Sequence, residues 1–321
     1  MPLRALASQL SPAGPRARLS ILIYHRVFAQ PDALLPGEPD AAAFRWQLQV
    51  LASLFTVLPL SEAVERLAQG TLPARPACIT FDDGYADNAT VALPILKELG
   101  LSATFFIATG YLDGGLMFND RVFETFRRLP AGTIEWPDLR LEHRRIEDDQ
   151  DRKRIAAELI QSLKHLEPEE RQARAEAIAE RSPAPLPKDL MMTCEQVKEL
   201  AAAGMSIGGH THMHPILART PDAQARAEIT GGRETLEALL GDPVRLFAYP
   251  NGKPGQDYDH RHVAMVHEAG FAAAVSTAWG VSTRVSDPYQ LARFTPWDHT
   301  PGRFALRLVR NLMAHRGAHQ V

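Results

Sequence analysis

Short apolar runs alternate with longer amphipathic stretches along most of the chain. Residues 19–24 (LSILIY), 77–81 (ACITF), 103–108 (ATFFIA), 244–249 (VRLFAY) and 271–276 (FAAAVS) are short, apolar and mostly β-branched or aromatic, so they read as buried strands. MSIGGH, ending at His210, reads as another. Between them, residues 40–54, 61–69, 88–99, 193–203, 221–240 and 259–269 carry the apolar spacing of helices. The punctuation agrees. Gly70, Gly100, Gly204 and Gly270 end four of these helices, Ser61 and Thr193 are placed as N-caps, and Pro94 predicts a kink. Strand-then-helix units imply a parallel sheet covered by helices. About seven fit, which predicts an α/β chain folded as a distorted (β/α) barrel of about seven strands.

Three stretches fall outside the alternation. Residues 1–18 read as an N-terminal leader, which leaves 19–321 as the barrel domain. Residues 112–190 are dense in charge, as in EHRRIEDDQDRKR, and read as an inserted helical region that docks through MFNDRVFETFRRL. Residues 302–316 predict a basic amphipathic helix, with Phe304, Leu308 and Leu312 on one stripe and Arg303, Arg307 and Arg310 towards another face. Such a helix can pack on the domain or touch an anionic membrane.

Charge and cysteine usage narrow the classes. Lys and Arg number 35 against 38 Asp and Glu, a net charge of −3, which argues against a general nucleic-acid binder. Two cysteines, Cys78 and Cys194, allow at most one disulfide, and each reads as a buried free thiol. The apolar run near the N-terminus is broken by Ser8 and Gln9, too short for a secretory segment. These features assign the chain to the cytoplasm, with the inner membrane face as an extension of that assignment.

In a barrel of this kind the chemistry sits at the C-terminal ends of the strands. There the second strand runs into Asp82-Asp83-Gly84, two carboxylates whose side chains diverge because the strand period is two. One could bind a metal while the other faces a reacting water, although Asp-Gly is equally at home in a plain turn. His210, His212 and His214 follow Gly208-Gly209, and the chain has only 12 histidines. The i, i+4 pair His210 and His214 would share one face of a helical turn. Two imidazoles and a carboxylate with an open position make a catalytic zinc shell. His212 falls off that face and takes no ligand role. Tyr249-Pro250-Asn251-Gly252 is a rigid strand-end loop that could offer an N–H to an oxyanion. His25 closes the first strand. Trp279 and Trp297 are candidates for stacking on a sugar or for ordinary packing.

Taken together, Thr80-Phe81-Asp82-Asp83-Gly84 and the H-[ST]-x-x-H-P run from His210 to Pro215 resemble the polysaccharide deacetylase family, also called NodB-like or carbohydrate esterase family 4. The resemblance covers residues 20–110 and 190–295. It implies a distorted barrel, a divalent metal with zinc first among the candidates, and removal of acetyl groups, mostly from N-acetylated sugars. By motif, Asp83, His210 and His214 would bind the metal and Asp82 would be the general base. Tyr24-His25-Arg26-Val27 looks like the branch acting on poly-N-acetylglucosamine-type polymers, which gives His25 the general-acid role. The division between Asp82 and His25 predicts a bell-shaped pH profile. Tyr249 and Asn251 would face the substrate and oxyanion. One departure is plain: the family's base-contacting Arg is replaced by Ala248. Arg293 could supply the missing guanidinium from a later strand, or be a surface ion pair. The implied partner is an acetylated glycan or sugar-linked substrate, without nucleic acid. An O-acetyl glycan esterase and a degenerate glycan-binding module are the alternatives.

Overall fold

Seven parallel strands form the frame, and each is an apolar run short enough to be buried on both faces. In chain order the elements are α1 (Pro2–Leu10), β1 (Ser20–Tyr24), α2 (Ala41–Leu54), β2 (Thr56–Val57), α3 (Leu60–Gln69), β3 (Pro76–Phe81), α4 (Leu93–Leu99) and β4 (Thr104–Ile107). Then come α5 (Phe118–Arg128), β5 (Gly132–Trp136), β6 (Leu141–Ile146), α6 (Asp149–Leu163), α7 (Pro168–Ala179), α8 (Cys194–Ala202) and β7 (Ser206–Gly209). The last six are α9 (Asp222–Leu240), β8 (Leu246–Ala248), α10 (His260–Glu268), β9 (Ala273–Trp279), β10 (Leu291–Arg293) and α11 (Pro301–Asn311). The computed structural model describes residues 2–164, 166–295, 298–314 and 321. Trp297 lies outside them.

The sheet runs β1-β3-β4-β7-β8-β9-β10, with β2 paired to β3 off this path. It nearly closes on itself. Phe294, just past β10, donates its N–H to Ile21 O at 3.0 Å and accepts from Ile23 N–H at 3.1 Å, so the last strand meets the first. The period of two then sorts the side chains. Leu19, Ile21, Cys78, Phe106, Leu246, Ala248, Val275 and Leu291 share one apolar cluster inside the barrel. Tyr24, Phe81, Phe105, Ile107, Phe247 and Tyr249 belong to another, under the surrounding helices.

Several local expectations are corrected. The N-cap of α3 is Pro59, without a side-chain bond, and not Ser61; Gly70 does end that helix in the left-handed conformation. Thr193 caps α8 in a two-way capping box with Gln196. Pro94 lies within a continuous helical stretch, 88–99. It sits just past a π-helical turn at Asn88–Ala92, the kind of local widening found where the regular helix ladder is interrupted. The leader contains a helix, α1, which packs against α2 and α11. Cys194 is half-exposed, not buried, and its Sγ lies 2.9 Å from Asp113 Oδ2.

The region from 112 to 190 is more than helices. Antiparallel β5 and β6 pair within it, and Val122, Phe126, Ile134, Leu141, Ile155, Leu159 and Ile178 give it a small core of its own. The C-terminal helix packs on the domain through Phe304, Leu308 and Val309, while Leu306 remains 59% exposed.

Candidate active site

The ends of four strands, β1, β3, β7 and β8, converge on a cavity of about 330 Å³ lined by His25, Asp82, Asp83, His210, His214 and Asn251. Asp82 and Asp83 both face His210 at the end of β3, and Asp82 Oδ2 lies 4.0 Å from its Nε2. The divergence expected of neighbouring strand residues is overridden because Asp83 has φ 75°, a left-handed conformation unusual for a residue other than glycine. Asp83 Oδ1 lies 3.4 Å from His210 Nε2 and 3.3 Å from His214 Nε2.

The two histidines meet by a different route from the one expected. Residues 210–214 are not a helical turn; Thr211 has φ 63° and His214 φ 52°. A tight loop folds His214 back beside His210, with ring centroids 4.8 Å apart. Glu228 on α9 fastens that loop, accepting from the N–H groups of His212 and Met213 at 3.0 and 2.6 Å. The His212 ring turns away, Nδ1 lying 2.9 Å from Thr109 Oγ1.

This trio suits a divalent cation. His210 Nδ1 lies 2.7 Å from Ala248 O. A carbonyl can only accept, so Nδ1 carries the proton and Nε2 turns its lone pair towards Asp83. Burial pushes the His214 ring down to about 4, which keeps it neutral and able to ligate. Burial alone would raise the Asp83 carboxyl, but the imidazoles gathered around it hold it well below the usual range, as the anion a cation would need. One ligand atom from each of Asp83, His210 and His214 lies within 4.8 Å of the others.

Arg293 is no surface ion pair. It is 1% exposed and grips Asp82 with both ends of its fork, Nη1 to Oδ1 and Nη2 to Oδ2, each at 2.7 Å. Its Nε donates to Ser276 O at 2.9 Å, so the guanidinium itself is held in place. Burial would push the Asp82 carboxyl up; Arg293 outweighs that and holds it below its ordinary value. The position of Ala248 is filled from β10, two strands further along the sheet.

The strand-end loop divides the other two candidates. Asn251 lines the cavity with φ 59°, and its N–H finds no acceptor among the described residues. Tyr249 is a correction. Strand alternation turns it to the outer face, where it stacks on Tyr258 at 3.8 Å and donates its hydroxyl to Tyr289 O. Its N–H goes to Val275 O at 3.2 Å, so neither donor is free for an oxyanion. Trp279 lines a different cavity, beside α11.

Other residues around the cavity escaped the sequence reading. Asp87 accepts from Arg26 Nε at 2.8 Å and from Val27 N–H at 3.1 Å, and Asn88 donates to His25 O at 2.8 Å. Together they fix the loop that carries His25. Asp120, from α5, is buried at the cavity wall, bonded to the Tyr85 hydroxyl at 3.1 Å and pushed up by burial to about 7. A usable signal was present in Asp87, which lies five residues beyond Asp82 in the same polar loop. Asp120 gave none, since it reads as an ordinary first-turn acid of a helix.

The sequence model of the polysaccharide deacetylase family matches residues 69–167 and 171–274, more than half of the chain. The chain belongs to the polysaccharide deacetylase family. The match runs through most of 112–190, although β1 and His25 precede it. YxkH of Bacillus subtilis (strain 168), assigned to the polysaccharide deacetylases, is 22% identical over 278 residues, 86% of this chain and 71% of that one. Two solved structures share the fold of this polysaccharide deacetylase. The Streptococcus pyogenes deacetylase PplD, in complex with acetate, is 19% identical with TM-score 0.61, covering 92% of this chain and 98% of that one. IcaB from Ammonifex degensii is 20% identical with TM-score 0.60, covering 95% and 99%.

Proposed function

We propose that this polysaccharide deacetylase is a metal-dependent hydrolase that removes N-acetyl groups from an amino-sugar-containing glycan or glycan precursor. The observation that carries the reading is the buried Asp82–Arg293 pair set directly beside the Asp83, His210 and His214 donors. A divalent ion held by those three, zinc first among the candidates, would supply Lewis acidity towards the acetyl carbonyl. Asp82, ionised and fixed in orientation by Arg293, takes the proton of the attacking water. The free N–H of Asn251 faces the developing oxyanion. His25 gives a proton to the amine nitrogen as the C–N bond breaks.

The proposal extends to place and partner. We place the enzyme in the cytoplasm, acting on a sugar carried by a lipid or a nucleotide. Leu306 and Met313 are exposed on α11 and its end, beside Arg303 and Arg310, which suits contact with the inner membrane face. No helix among the described residues is long and apolar enough to cross a membrane.

The test is acetate release by zinc-supplemented protein from N-acetylated chitooligosaccharides and from an O-acetylated glycan. N-acetyl hydrolysis that falls by about a hundredfold or more in Asp82→Asn and His25→Ala, with bound metal retained, supports the reading. Release from the O-acetylated glycan alone replaces it with an esterase. Glycan binding without any acetate release replaces it with a binding module.

A further inference from the structure

Arg171 is a charge that the proposed reaction does not use. It stands in the first turn of α7 and is only 8% exposed. Its guanidinium lies over the Phe118 ring, 4.7 Å from the centroid, and its hydrogen bond to Lys164 O is long, at 3.4 Å. Neighbouring arginines are paired: Arg26 with Asp87, Arg127 with Asp32 and Glu124, Arg293 with Asp82. Arg171 forms no ion pair among the described residues. A guanidinium does not shed its charge in a protein, and a buried charge without a counter-charge is unfavourable.

The missing counter-charge has a place to sit. Arg171 lines the catalytic cavity and an adjoining one of about 380 Å³; His214, Met117 and Phe118 line both. Lys164, which caps α6, lines the catalytic cavity and also has no ion pair among the described residues. Of the four acids lining the catalytic cavity, Asp82 is engaged by Arg293, Asp83 by the two histidines and Asp120 by the Tyr85 hydroxyl, while Glu38 accepts from Arg26 N–H at 3.4 Å. Glu169, Glu176 and Glu228 line the adjoining cavity, whereas Lys164 stands beside Arg171 on the side of the catalytic one.

We propose that Arg171 and Lys164 bind an anionic group of the sugar substrate, a phosphate or a carboxylate, immediately beside the deacetylation centre. A planar fork suits either anion, and Lys164 adds a mobile point charge. The inference rests on the proposed reaction only for the location of the acetylated sugar. It makes α6 and α7 the elements that select charged over neutral amino sugars.

The experiment is equilibrium binding on the protein as purified, with no turnover required. N-acetylglucosamine 1-phosphate and a glucuronic acid–N-acetylglucosamine disaccharide are compared with neutral diacetylchitobiose. One anionic sugar should bind about tenfold or more tighter than the neutral one, and which one does so tells phosphate from carboxylate. Arg171→Gln should abolish that preference, Lys164→Gln weaken it, and Arg171→Lys retain most of it with an unchanged melting temperature. A preference lost in His214→Ala but kept in Arg171→Gln assigns the anion to the metal ligands and overturns the proposal. Equal binding of charged and neutral sugars, or binding of none, also overturns it. Preference without acetate release would leave this inference standing and remove the deacetylase reading; acetate release without preference would do the reverse.

Discussion

Asp82 and Arg293 behave as one unit. The carboxylate is buried, so its ionised form depends on the guanidinium, and the guanidinium is held by Ser276 O as well as by the carboxylate. Removing Arg293 leaves a buried carboxylate both less acidic and free to rotate. On the proposed roles, Arg293→Ala should therefore cost about a hundredfold in kcat with bound metal unchanged, because Asp82 loses its orientation while Asp83, His210 and His214 stay in place. Arg293→Lys restores a charge without the two-pronged grip and should recover only part of the loss. Acetate release and metal content measured on the same samples check both statements. Sequence could pose Arg293 only as a repair for Ala248, since 211 residues separate it from Asp82. The adjacent Asp82-Asp83 pair and the histidine run were legible because each is local. The placement of Asp120 and Arg171 at the cavity was not, since neither belongs to a pattern shorter than the fold.

Elements that buried an unbroken apolar run were read to within a few residues. β5 and β6 were not, because their strands are largely exposed: in β5 only Ile134 is buried, and in β6 only Leu141 and Ile146. Their charged residues resemble a solvated helix, and pairing alone makes them strands. Helix ends follow local chemistry more closely. Asp259 caps α10, accepting from Arg261 N–H at 2.9 Å, and the hydrogen bonds from the Arg261 side chain lead in holding its carboxyl down at about 2. A carboxyl more acidic in the folded chain than in the unfolded one contributes stability above its unfolded range and loses it as pH falls towards 2. Asp259→Ala should cost about 1 kcal/mol at neutral pH. The difference from the parent should shrink steadily between pH 4 and pH 2, read by denaturant unfolding at each pH.

At the scale of the molecule, the barrel closes where Phe294 bonds to both sides of Ile21–Ile23. Phe294 is 2% exposed and follows Arg293 directly. Phe294→Ala should remove about 3 kcal/mol of stability or more by opening a cavity at the seam. It should also lower kcat at temperatures where the protein remains folded, since the same backbone carries Arg293; thermal unfolding and turnover on one preparation check the pair of effects. The seam has a further consequence during synthesis. A ribosome that has translated the whole Asp83, His210 and His214 set has still not made the residue that aims the base. A message cut short before Leu291 would encode Asp83, His210 and His214 but lack both the guanidinium that grips Asp82 and the strand that joins the two edges of the sheet.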